Sequence, residues 1–371
     1  MHTTKPLGII DTLSLGFSLV NRHLWLLAIP VLLELLVSYG PKVTAGPVVQ
    51  QGLSLYRESL GSIPEELRNS SGASSIQDMQ VMVEEAVQPI SSFNILSLLL
   101  WQIPSLASGS LAYFGSSIGF EIADFSTLVL VIMSVLVFGL LATSLYLTAV
   151  AMLVLSTVEG LILSPGATRR GETIVGGTVI NALTSLRGGS AEPLANGTGP
   201  GDTRDGGFSP VEFYKRLQRN WLRLMAFYGL MAVTLFIVGI VGTTIIGALT
   251  LFNQGLGSLL VGLVFAMSLL VMLYLFFSDE AIVIGGSGPI AAAVSSMSIV
   301  YRNYWASFML VVLTTVVLIG THLIWMSLSS NVFGALMGMV GNAYVSTGIT
   351  AAVMLFYKDR VLFFQKEAAP G

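Results

Sequence analysis

Few residues of this 371-residue chain could do chemistry. There is no cysteine, which removes disulfides, thiolate metal sites, iron–sulfur clusters and cysteine nucleophiles. His2, His23 and His322 are the only histidines and are too scattered for a histidine metal site. Glu34 stands out because it lies inside an apolar run, where an ionisable residue is functional by default and faces a bundle interior or water. Its sequence neighbours Pro30, Leu33, Leu35 and Leu36 offer it no partner. It reads either as a protonated or water-contacting residue near a thin outer edge or as a proton- or substrate-coupling carboxylate. Asn342, in the last apolar run, is the second intramembrane polar candidate. No His-Glu-x-x-His, Ser-Lys or paired-Asp pattern occurs within these runs, so no catalytic residue, metal or cofactor is expected.

The elements that hold these residues follow from composition. Hydrophobic residues make up 54% of the chain and charged residues 10%, against about 25% charged in ordinary soluble domains. Several apolar runs reach the ~20 residues needed to cross a bilayer. The expected fold is an all-α integral membrane protein with about six transmembrane helices, at roughly 24–39, 126–156, 222–250, 256–278, 306–328 and 333–357. A weaker apolar run, 94–118, is broken by Pro104 and diluted by Gln102. The N-terminus does not read as a cleaved signal, because Asp11 interrupts its apolar stretch.

Lysine and arginine near span ends set orientation. Fourteen of the seventeen basic residues fall in four segments: before the first span, in 157–223, at Arg302 and in the tail. The region 41–92 holds only Lys42, Arg57 and Arg68 against six acidic residues. All four basic segments lie on one side only if an even number of crossings occurs between 40 and 125, and zero is simplest. Both termini are then cytoplasmic, and 94–118 lies on or dips into the outer leaflet.

The six spans group as three hairpins, each expected to follow a cytoplasmic amphipathic elbow helix. At an offset of 280, Ile10/Ile290, Ser18/Ser298, Val20/Val300, Arg22/Arg302 and Trp25/Trp305 match. The stripes Ile10, Leu13, Phe17, Val20, Leu24 and Ile290, Ala293, Met297, Val300, Tyr304 share helical spacing. A weaker middle copy is Val211–Trp221, where Arg219-Asn220-Trp221 echoes Arg302-Asn303-Tyr304-Trp305 one residue shorter. An apolar-faced helix lies in the interface plane, and Arg and Trp favour the headgroup level. Arg22, Trp25, Arg219, Trp221, Arg302 and Trp305 are therefore candidate lipid-headgroup contacts: interfacial anchors, or one anionic-lipid site where three elbows converge. Span ends repeat too, with Glu159 and Glu280 each followed by a short apolar stretch and Gly or Pro.

The chain accordingly divides into an amphipathic helix and first span (1–40), an external insertion with a membrane-associated apolar segment (41–125), a second span and cytoplasmic amphipathic segment (126–187), a flexible Gly-rich linker (188–207), a second hairpin (208–278) and a third hairpin with a cytoplasmic tail (279–371). The linker's seven glycines do not form a phosphate loop, because no Gly-Lys-Ser/Thr follows. In the last span Gly334 and Gly338 form a small-xxx-small pair that Gly341 extends, a face for close helix packing.

The stretch Tyr274–Val283 through Ser298-Ile-Val-Tyr-Arg302-Asn303, the close Phe356-Tyr357-Lys358-Asp359-Arg360 and the opening Arg22-His23-Leu24-Trp25-Leu26-Leu27 resemble the membrane domain associated with glycerophosphoryl diester phosphodiesterases, and its stand-alone multi-pass bacterial relatives. That resemblance implies a bacterial inner-membrane architecture. The catalytic barrel of such enzymes has no counterpart here, so it implies no hydrolase activity. The expected function is a non-catalytic, lipid-interacting scaffold or a subunit of a membrane assembly. The alternative is a small-molecule or lipid transporter. Expected partners are membrane lipids and a membrane protein or second copy of the chain. Nucleic acid is not expected, since no basic face interleaved with aromatics appears outside membrane-flanking segments.

Overall fold

The computed structural model describes residues 6–61, 73–100, 119–163, 210–328 and 331–368. The linker 188–207, the amphipathic segment 172–187 and most of the run 94–118 lie outside the described residues. Eleven α-helices occur among those described: α1 (Ile9–Arg22), α2 (Ala28–Tyr39), α3 (Gly46–Gly61), α4 (Ala73–Ser92), α5 (Phe125–Leu163), α6 (Pro210–Phe252), α7 (Gln254–Tyr274), α8 (Ser278–Val283), α9 (Pro289–Arg302), α10 (Tyr304–Leu328) and α11 (Val332–Ala368). Five stretches are long and apolar enough to cross a membrane, and a sixth is added if α1 and Leu24–Tyr39 count as one bent span. This is a multi-pass, helical membrane architecture. The first expected span, 24–39, is the exception. It has 16 residues, begins with a 3-10 turn at Leu24–Leu27, and falls short of the ~20 that a straight crossing needs.

Two compact units divide the chain. One comprises Met1–Ala28, Ser144–Thr321 and Tyr344–Gly371; the other comprises Ile29–Thr143 and His322–Ala343.

In the first unit, α1 and α9 are copies in detail. Both have 14 residues, a glycine N-cap in extended conformation (Gly8, Gly288) and a terminal arginine. Both end on a residue of nearly the same backbone geometry, His23 at φ −135°, ψ 55° and Asn303 at φ −130°, ψ 45°. Their buried positions coincide at the same offset of 280: Thr12/Ala292, Gly16/Ser296, Leu19/Ile299 and Val20/Val300. The apolar stripe read from the sequence is thus split. Val20 and Val300 point inward, whereas Ile10 and Ile290 are 77% and 70% exposed. The inward face pairs small residues in the first half of each helix (Thr12, Gly16; Ala292, Ser296) with aliphatic ones in the second (Leu19, Val20; Ile299, Val300), and the small ones allow the close approach that favours helix pairing in a bilayer.

The middle copy differs. Residue 221 was the expected end of an elbow, yet α6 runs unbroken from Pro210 to Phe252. At 1.5 Å per residue its 43 residues rise about 65 Å, twice the ~30 Å hydrocarbon core, so its charged first turns extend beyond the apolar stretch.

Each of these three segments packs on a long apolar helix of the same unit. Gly16 of α1 lies against Gly348 and Ala352 of α11. The start of α6 meets α5, where Asn220 donates to the Thr148 hydroxyl (3.1 Å) and Ser144 to the Leu217 carbonyl (3.4 Å). Ser296 of α9 binds the junction of α7 and α8. A buried hydrogen bond from Tyr146 to Thr347 (3.1 Å) ties α5 to α11. The most apolar stretch of the span Val332–Phe364 is 72% buried, against 6–22% for the other four.

In the second unit, Ala335 and Met339 pack with Leu35 and Trp325. It also holds the one departure from an all-helical chain among the described residues. Strands β1 (Lys42–Thr44) and β2 (Gly119–Glu121) pair in parallel, Val43 opposite Phe120. Asn94 Oδ1 accepts from the amides of Val43 and Leu96 and anchors the pair. Residues 42 and 119 therefore stand side by side, and the chain between them begins and ends at one level.

Candidate functional site

The six expected headgroup residues lie on three segments of the first unit. Four lie at two equivalent breaks in the chain. Arg22 ends α1, and the chain turns by 92° between Ile9–Arg22 and Leu24–Tyr39, with Trp25 exposed just beyond. Arg302 ends α9 beside Asn303, with its guanidinium 5.0 Å over the Phe364 ring. Trp305 is 70% exposed and sits edge-on to Tyr304 and Phe308, with ring centroids 5.6 and 6.2 Å away. Each break thus presents an arginine, an exposed tryptophan and, at the far end of the helix, an exposed isoleucine.

Arg219 and Trp221 depart from this arrangement. Arg219 is exposed on an unbroken helix, and the Trp221 indole N–H is buried with no hydrogen-bond partner. The missing residue of the middle copy explains the difference. Asn303 serves as the break in the third copy, whereas Asn220 stays helical and spends its side chain on Thr148.

Glu34 and Asn342 are both buried, at 1% and 3% exposure, and neither is without a partner, although the sequence neighbours of Glu34 suggested none. The glycine face is used for packing. Gly334 and Gly338 are buried, and a side chain at Gly341 would collide with the Trp325 indole. Gly348, further along the same helix, lies against the Phe17 ring.

A third cluster went unrecognised as a site. The span Gly255–Val283 is broken where α7 ends at Tyr274 and α8 begins at Ser278. Ser296 seals the gap: its hydroxyl donates to the Tyr274 carbonyl (2.7 Å) and accepts from the Phe277 amide (3.0 Å). Phe277 is fully buried and stacks on Phe356 at 5.6 Å. Two carboxylates follow at once. Asp279 accepts the Tyr228 hydroxyl at 2.8 and 2.7 Å on its two oxygens. Glu280 is 7% exposed, and its Oε2 has no hydrogen-bond partner; neither has the buried Ser278 hydroxyl. Beyond α8 the chain reverses at Gly286, whose φ of +62° suits glycine and whose carbonyl accepts from Arg223. Tyr357 meets Ser295 at 3.2 Å beside this turn. The signal was present in the sequence as the repeated acidic span end, which spoke for duplication and named no chemistry.

At the end of α11 the backbone before α1 is held on both sides. Leu7 donates its amide to Asp359 (3.0 Å), and its carbonyl accepts from Arg360 (3.2 Å). Arg360 is buried, and its guanidinium carbon lies 4.7 Å over Phe356.

No family model, curated protein or solved structure matches this chain.

Proposed function

We propose that this protein is a non-catalytic, lipid-interacting scaffold of the bacterial inner membrane, with six crossings as three hairpins and both termini in the cytoplasm. The observation that carries the reading is the duplicated break: Arg22 with Trp25, and Arg302 with Trp305, each at the end of a helix that keeps Ile10 or Ile290 outward. An outward apolar side chain suits acyl chains, and Arg with Trp suits headgroups. The level pairing of β1 with β2 supports an even number of crossings between 40 and 125, as the basic-residue distribution requires. The resemblance to the phosphodiesterase-associated membrane domain supports the same architecture.

Two experiments test it. Replacing Arg22, Arg219 and Arg302 together by Gln should lower retention of anionic lipid in native mass spectra, because basic contacts at an anionic surface are worth ~1 kcal/mol each. Unchanged retention would reduce these residues to topology signals. For orientation, single cysteines at Ser59, Ser190 and Ser329 suit this cysteine-free chain. With an impermeant reagent on intact cells, Ser59→Cys and Ser329→Cys should label and Ser190→Cys should not; the reverse at Ser59 or Ser190 refutes the topology.

A transporter is the second reading. The interruption between α7 and α8, with buried Glu280 beside it, favours it, since interrupted helices with buried polar groups are a usual setting of substrate and ion sites.

A further inference from the structure

We propose that the break between α9 and α10 is a specific site for one anionic phospholipid, whose phosphate oxygens accept from Asn303 and Ser307 beside the Arg302 charge. The proposal rests on the lipid reading above and assigns a bound lipid to one of the three copies.

The three copies differ in what their equivalent positions leave unsatisfied. In the first, His23 Nδ1 meets the Leu19 carbonyl at 3.2 Å, and the residue four further on is Leu27. In the middle copy Asn220 donates to the Thr148 hydroxyl (3.1 Å). In the third, at the same offset of 280, Asn303 and Ser307 stand where the first has His23 and Leu27. The Asn303 Nδ2 is buried with no hydrogen-bond partner, and so is the hydroxyl of Ser307, a residue with 0% exposure. An unpaired buried donor is costly, and a leucine like that of the first copy would remove the cost. An amide and a hydroxyl held there call for an acceptor from a bound molecule.

Helix geometry brings the two groups together. Ser307 donates its amide to the Asn303 carbonyl (2.9 Å), so the residues stand one turn apart on one face. The Cα–Cβ bond of a helical residue tilts toward the N-terminus, which aims the Ser307 hydroxyl at the start of α10, where Asn303 lies. The positive dipole end of this 25-residue helix is at the same point. Arg302 adjoins it. Its guanidinium rests 5.0 Å over the Phe364 ring and enters none of the ion pairs among the described residues. Two unpaired donors, a helix N-terminus and an uncompensated cation suit an acceptor that carries negative charge.

The surroundings select a lipid over a free phosphate. Both donors are closed to bulk water, whereas Tyr301 and Trp305, on either side, are 78% and 70% exposed. A free anion would have to leave water to reach the donors. A phospholipid carries its phosphate at the interface already and has acyl chains to cover the exposed rings.

The test is titration of short-chain phosphatidylglycerol into delipidated protein in detergent, read by native mass spectrometry and thermal unfolding, with glycerol 3-phosphate as the free headgroup. One phosphatidylglycerol should be held more tightly than the rest and should raise the melting temperature, and glycerol 3-phosphate should not compete with it. Ser307→Ala should weaken this one binding event about tenfold, as loss of a hydrogen bond to a charged acceptor predicts. It should leave melting in lipid-free detergent unchanged or higher. Arg302→Gln should weaken binding as much, whereas Arg57→Gln, an equal loss of charge in the other unit, should not. If Ser307→Ala and Arg302→Gln bind lipid like the parent while the triple arginine replacement sheds it, this site is refuted and the lipid reading stands. Unchanged retention in the triple replacement refutes both. Competition by glycerol 3-phosphate would overturn the lipid assignment. A Ser307→Ala protein that melts lower without lipid would show the hydroxyl already satisfied within the fold, and would overturn the site.

Discussion

Replacing Gly16 by Ala should weaken the first unit, where α1 lies against α11. A Cβ at residue 16 would stand 2.6 Å from the Gly348 carbonyl oxygen, 2.7 Å from the Ala352 amide nitrogen and 2.8 Å from the Ala352 Cβ. Two of these atoms are backbone, so no rotamer change relieves the clash, and α1 must move away from α11. Overpacking of this kind costs ~1–3 kcal/mol. Alanine also gains up to ~1 kcal/mol of helix propensity over glycine, which would mask part of the loss. Gly239→Ala corrects for that gain: Gly239 is likewise helical, and nothing lies within 4 Å of its Cβ position. The difference between the two variants isolates packing and should be ~1–3 kcal/mol, with Gly16→Ala the less stable. Gly348→Ala should fall between them, because its nearest neighbours are ring atoms of Phe17, which can turn aside. The assay is equilibrium unfolding in mixed detergent micelles, followed by tryptophan fluorescence or circular dichroism. A difference between Gly16→Ala and Gly239→Ala below ~0.5 kcal/mol, the spread of unremarkable surface changes, would refute the close contact.

Three further outcomes are expected. Ser296→Ala removes two hydrogen bonds across the α7–α8 gap and should cost ~1–3 kcal/mol in the same unfolding assay, with Ser296→Thr recovering part of it; an unaffected Ala variant would mean the serine does not seal the break. Gly286→Ala should destabilise by ~1–2 kcal/mol because a left-handed residue gains a Cβ, and a neutral result would refute the turn geometry. Arg57→Ala, which breaks the exposed pair with Glu84, should change stability by less than ~1 kcal/mol, and a larger loss would show that α3 and α4 depend on that pair.

The sequence alone determined the apolar segments, because a bilayer imposes a length and a composition that no other environment demands. The repeat was legible as residues matched at an offset of 280, and Ile9–Arg22 and Pro289–Arg302 match in length, caps and terminal arginine. Which face of a repeated helix turns inward was not legible. Hydrophobicity does not separate protein from lipid, so Thr12 and Gly16, which allow close approach, share the buried face with Leu19 and Val20 while Ile10 is left outside. Nor was the fate of the middle copy, where one residue fewer leaves Asn220 in helix and turns the Trp221 indole inward. The acidic pair Asp279 and Glu280 became a site only in three dimensions. Tyr228 lies 51 residues before Asp279 and Tyr357 lies 62 residues after Ser295, and only helix packing brings such groups to one break.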